Sequence, residues 1–124
     1  MTIATILNTM LNSGVTLPEP LNKNFESVLL IFNDIDDDQY AIDNCFSNRI
    51  VFTHLPTNNE FMLRKEGIQD ADGQVSQEFV SLYFRAESKD ILVLNLVGYG
   101  KQANQLLINE FDKLYRKHIV EMAL

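Results

Sequence analysis

This 124-residue chain has little of what usually announces a chemistry. It holds one cysteine, Cys45, which excludes an internal disulfide and suits a reducing compartment. It holds two histidines, His54 and His118, which share no zinc-site spacing with Cys45; such a site needs at least three good ligands. With no tryptophan, three prolines and five glycines, it is neither collagen-like nor low-complexity. No apolar run approaches the roughly 20 residues of a membrane span, and Met1-Thr2-Ile3 lacks the basic start of a signal peptide. The expectation is a cytoplasmic protein without a membrane partner.

Positive charge is also scarce. Ten Lys and Arg stand against seventeen Asp and Glu, for a net charge of −7. Residues 1–44 carry seven of those acids (Glu19, Glu26, Asp34, Asp36, Asp37, Asp38 and Asp43) and a single base, Lys23. Neutralising phosphates needs a basic face, so this balance argues against nucleic acid and for a basic protein partner.

What is present is enough for a core. Apolar residues make up 46% of the chain and charged residues 22%, with a mean hydropathy of −0.07, which fits one globular domain over 1–124. The end of the chain is its most legible part. Ile91 to Val97 reads as a strand buried on both faces, Gly98-Tyr99-Gly100 as a hinge, and Lys101 to about Met122 as an amphipathic helix. On that helix Ala103, Leu107, Phe111, Leu114, Tyr115, His118 and Met122 form the inner stripe. Its length of about 33 Å would cover one face of a sheet.

At the other end Ile3, Ile6, Leu7, Met10 and Leu11 recur at helical spacing between Thr2 and Gly14, a short helix that must dock on something. Strands are expected at Phe25–Phe32, Gln39–Cys45 and Arg49–His54, with turns at Asn33–Asp38 and Ser47-Asn48. Phe61 to Arg64 fits a strand or a short helix. Gln77 to Arg85 carries both periodicities, and its aromatic content favours a strand paired with the next. The order gives an α+β fold: an antiparallel sheet of about five strands with a short N-terminal and a long C-terminal helix packed on it.

Three motifs invite chemistry and fall short of it. Asp70-Ala71-Asp72-Gly73 resembles part of a calcium loop, but with Gly73 as the turn glycine the first ligand position is Ile68 and the twelfth Phe79, where a bidentate Glu is required. An Asp-Gly hairpin turn explains the same residues. Gly98-Tyr99-Gly100-Lys101 lacks both the earlier glycine (Asn95 is there) and the hydroxyl after the lysine (Gln102) of a phosphate-binding loop. Cys45, His54 and His118 would serve nucleophilic catalysis only if the fold brought them together. No cofactor is implied, and no enzyme activity is expected.

The remaining feature is Asp34-Ile35-Asp36-Asp37-Asp38, four aspartates in five residues, whose repulsion gives no evident folding benefit. As a negatively charged lobe, extended by Glu26 and Asp43, it would steer a cationic surface into place. The expected function is a small non-catalytic binding protein that blocks a basic toxin, nuclease or defence effector. Acidic bacterial immunity proteins and phage-encoded inhibitors do so as a class, a likeness of size and composition only. The alternative is a dimeric secretion-chaperone-like or scaffold protein that binds a client through an apolar surface. Monomer and homodimer are both open.

Overall fold

The computed structural model describes residues 3–12, 36–86, 89–95 and 101–123. Helix α1 (Ile3–Asn12) is followed by a 3-10 turn (Asp37–Gln39) and five strands, β1 (Tyr40–Cys45), β2 (Arg49–His54), β3 (Asn59–Gln69), β4 (Val75–Ala86) and β5 (Lys89–Asn95). Helix α2 (Lys101–Ala123) closes the chain. The strands form one antiparallel sheet in the order β1-β2-β3-β4-β5, each paired with its sequence neighbour.

Local chemistry sets these connections. The β1–β2 hairpin closes through the Phe46 N–H donating to the Arg49 carbonyl at 2.7 Å, with Ser47-Asn48 as its loop. Between β2 and β3 the loop ends on Asn58 at φ 55°, a left-handed conformation that Asn tolerates better than most side chains. The β3–β4 turn is built by Asp70. Its carboxylate accepts from the Asp72 N–H at 2.9 Å and the Gln74 N–H at 3.0 Å, while Gly73 takes φ +80°.

The core lies on one face of the sheet. Register places Phe52 opposite Phe61 and Phe61 opposite Phe84, and their ring centroids stand 5.6 and 5.4 Å apart. Tyr40 meets Phe52 edge-on at 5.6 Å. Onto this aromatic row α1 lays Ile3, Ile6, Leu7 and Met10, and α2 lays Leu107, Ile108, Phe111 and Leu114, all buried. Large apolar side chains held this way contribute on the order of 1.5–3 kcal/mol each. Burial also reaches the opposite face at the sheet centre, at Val51, Met62, Phe79 and Ser81.

The α+β layout, α1 and the Arg49–His54 strand stand as the sequence predicts. One open reading is settled and three details differ. Phe61 to Arg64, which fitted a strand or a short helix, lies in the first half of an 11-residue strand with ladder partners on both sides. Gln39 belongs to the 3-10 turn, whose cap geometry the Asp run imposes.

The strand expected to be buried on both faces is, among the described residues, at the edge of the sheet. Ile91 is 41% and Leu92 47% exposed, while Val93 is buried. An apolar run gives no information on whether a second neighbour will pair with it. On α2 the inner stripe takes in Asn104 and Ile108, with Tyr115 and His118 only half-buried, so the helix is rotated from the phase its apolar residues suggest. The expected strand over 25–32 and the hinge at 98–100 lie outside the described residues. Among the described residues no helix is long and apolar enough to cross a membrane.

Candidate functional site

Three aspartates of the acidic turn, Asp36, Asp37 and Asp38, lie among the described residues. Asp36 sits in extended geometry (φ −135°, ψ 132°) as the N-cap of the 3-10 turn, and its Oδ1 accepts from the Asp38 N–H at 3.2 Å. The Gln39 N–H donates to the Asp36 carbonyl at 3.0 Å and tightens the same turn. Asp37 reaches across to α1, where its Oδ1 accepts from the Ala4 N–H at 3.3 Å. The first N–H groups of a helix have no partner within it, so Asp37 satisfies one of them and favours the positive end of the dipole. Asp38 is exposed, and among the described residues its carboxylate has no partner.

Asp43 stands apart. It is the extra residue of a β-bulge between Ile42 and Asn44, and its Oδ2 accepts from Thr53 Oγ1 at 2.6 Å. Of the six residues expected to meet a partner, Asp36, Asp37 and Asp38 form one exposed turn and Asp43 belongs to the β1–β2 ladder. Asp34 and Glu26 lie outside the described residues.

Beside the turn runs a cleft of about 170 Å³, lined by Ile3, Asp37, Tyr40, Ile42, Leu114, Lys117, His118 and Glu121. Ile3, Ile42 and Leu114 make an apolar floor, and Asp37, Lys117, His118 and Glu121 supply charge and polarity around it. Lys117 and Glu121 form an i,i+4 pair at 3.9 Å, an exposed contact worth at most a few tenths of a kcal/mol. Such a cleft fits one apolar or aromatic side chain with a cationic neighbour facing Asp37 and Glu121. Sequence reasoning found Asp37 and His118 but had no means of bringing them together, since 81 positions separate them and only the packing of α2 on α1 and the sheet closes the gap.

The groups needed for nucleophilic catalysis do not converge. Tyr40 pairs with His54 and Cys45 with Ile50, so Cys45 and His54 lie at opposite ends of one hairpin, about 13 Å apart along the strand. Burial pushes the Cys45 thiol up to about 11, which makes it a poor nucleophile near neutral pH. His54 is fully buried, with Nδ1 2.8 Å from Thr57 Oγ1 and its ring against Tyr40. Among the described residues no group of three or more His, Cys, Asp and Glu is placed to hold a metal ion. The Asp70 carboxylate is engaged by the backbone of its own turn.

One cluster escaped the sequence altogether. On the sheet face away from the core, Glu66 accepts from Ser81 Oγ at 2.8 Å and from the Tyr83 hydroxyl at 2.9 and 3.0 Å, with Arg64 Nη1 at 3.4 Å. Burial, then the bond and charge of Glu66, hold the Tyr83 phenol above its usual 10.0, while Arg64 pulls it down. Ser81, Tyr83 and Glu66 alternate correctly in the sequence, but only the β3–β4 register makes them neighbours.

No family model, curated protein or solved structure matches this chain.

Proposed function

We propose that this chain is a non-catalytic binding protein of the inhibitor or immunity type, which holds a basic segment of a partner protein against the 3-10 turn and the cleft beside it. The observation that carries the reading is the adjacency of an exposed acidic turn, Asp36 to Asp38, and an apolar-floored cleft that Asp37 itself lines. Charge on the turn raises the encounter rate and orients the partner; an apolar anchor in the cleft slows its departure. A net charge of −7 strengthens the steering. Blocking needs no catalytic group. The setting is the cytoplasm of a bacterium or of a cell that a phage enters.

The test is a footprint. Partners captured on the immobilised chain from its native host are identified, and hydrogen exchange is followed in the purified complex. Slowed exchange over 37–42 and 114–121 supports the reading. Protection confined to β5 or to the sheet face bearing Glu66 overturns it.

A dimeric secretion-chaperone-like or scaffold protein is the second reading, and one specific observation favours it. Strand β5, at the edge of the sheet among the described residues, exposes Ile91 and Leu92, and α2 exposes Leu106, Ile119 and Val120. Apolar residues on a strand edge invite pairing with another chain. Sedimentation separates the two: a dimer that Leu92→Glu dissociates supports the second reading, and a monomer the first.

A further inference from the structure

We propose that the groove between the β1–β2 loop, β3 and α2 binds a small organic carboxylate, an aromatic one in preference to an aliphatic one. The groove holds about 360 Å³ and is lined by Ser47, Lys65, Asp112, Tyr115 and Arg116. Its two cations converge on one residue. Lys65 Nζ lies 3.0 Å from Asp112 Oδ1, and Arg116 Nε donates to the Asp112 backbone carbonyl at 3.2 Å. Lys65 reaches α2 because it alternates with Phe61 and Leu63 on the core-facing side of β3. Its N–H donates to the Asn48 carbonyl at 2.8 Å, which fixes the loop bearing Ser47 beside it.

The charges of this lining select the ligand. Lys65 and Arg116 stand against Asp112 alone, which leaves one positive charge in the groove of a protein of net charge −7. Asp112 holds Lys65, with side chains only 33% and 25% exposed, so salt screens them less than it does surface charges. Arg116 makes no ion pair among the described residues. With its Nε on the Asp112 carbonyl, both Nη groups of the guanidinium remain for a ligand, and a planar carboxylate matches them in two-point geometry. A monoanion balances the site. A phosphate dianion would exceed the balance and meet the Asp112 carboxylate.

A carboxylate alone does not fill the groove. Its volume falls in the range of about 300–1,000 Å³ that small-molecule sites occupy. Tyr115 and the methylene stems of Lys65 and Arg116 offer apolar surface to the body of the ligand, and a ring packs better than a methyl group against an aromatic residue. The groove is separate from the cleft beside the acidic turn. At about 100° per residue, Asp112, Tyr115 and Arg116 share one side of α2, and Leu114, Lys117, His118 and Glu121 share the other.

The experiment uses the full chain and proton–nitrogen NMR of backbone amides and arginine Nε–Hε groups. Sodium benzoate, acetate and phosphate are titrated separately at constant ionic strength. With benzoate, the Arg116 Nε–Hε signal and the Ser47 and Lys65 amides should shift along one saturating curve, while Arg49, Arg64 and Arg85 stay in place. Acetate should bind at least about tenfold more weakly, and phosphate should not saturate. Arg116→Gln should weaken benzoate at least about tenfold with an unchanged melting temperature, since the side chain is exposed and loses only charged hydrogen bonds to the ligand. Asp112→Asn, which removes the opposing carboxylate, should let phosphate saturate the same signals. Acetate or phosphate equal to benzoate in the wild-type chain, parallel unsaturating shifts at all four arginines, or wild-type affinity in Arg116→Gln would overturn the proposal.

Discussion

Asp37 Oδ1 accepts a hydrogen bond from the backbone N–H of Ala4, 33 residues earlier in the chain. That bond ties the acidic turn to the start of α1, so one carboxylate of the run has a structural role. Asp37→Ala should destabilise the fold by about 1 kcal/mol, the usual loss for a helix cap, and should speed exchange of the α1 amides. Asp37→Asn keeps the oxygen and should cost less. Urea unfolding with amide exchange checks both; unchanged α1 protection in Asp37→Ala would mean the bond does not hold the helix.

The Tyr83 phenol, raised by burial and by Glu66, favours the neutral form in the folded state. Its contribution to stability is therefore complete below the unfolded value near 10 and is lost as pH rises through the folded one. Tyr83→Phe should remove this alkaline component, and Glu66→Gln should bring the Tyr83 titration part of the way back, leaving the share due to burial. Absorbance at the phenolate band, followed above pH 9, measures both. A Tyr83 that titrates with a free phenol would contradict the cluster.

Cys45, lifted from 9.0 to about 11 by burial, should react slowly. At pH 8 its thiolate fraction is about 100-fold below that of an unperturbed cysteine. Iodoacetamide labelling should be slower by about that factor, should keep accelerating towards pH 11, and should become fast in urea. A labelling rate that levels off between pH 8 and 9 would place the thiol in water.

Gly73 takes φ +80°, and a Cβ there would meet no heavy atom within 4 Å. The cost of Gly73→Ala is then conformational alone, about 1 kcal/mol, and Gly73→Asn should cost less because Asn tolerates the left-handed region. Thermal melts of the two variants decide it. Equal losses in both would point to crowding at the turn instead.

How far the sequence reached follows from what each signal encodes. Ile3, Ile6, Leu7 and Met10 mark their helix because period and burial agree. Leu107, Phe111 and Leu114 mark α2, but Asn104 hides its phase, being a polar residue on the buried side. Ile91 and Leu92 read as core because hydropathy carries no information on sheet position. The acidic turn was visible as composition, and the Asp36 cap is local to it, but that Asp37 caps α1 depended on a contact between positions 33 residues apart. The Glu66–Ser81–Tyr83 cluster follows from register, which alternation alone does not fix.

The claim that the acidic turn receives a basic partner is tested most directly by association rate against salt. The captured partner is measured with the wild-type chain and with an Asp36→Asn/Asp38→Asn double variant, in which Asn preserves the turn's cap while two charges are removed. Asp37 is left intact to hold α1. At low salt the variant should associate about tenfold more slowly, with a shallower dependence on ionic strength. Equal rates and equal salt slopes in the two proteins would contradict it.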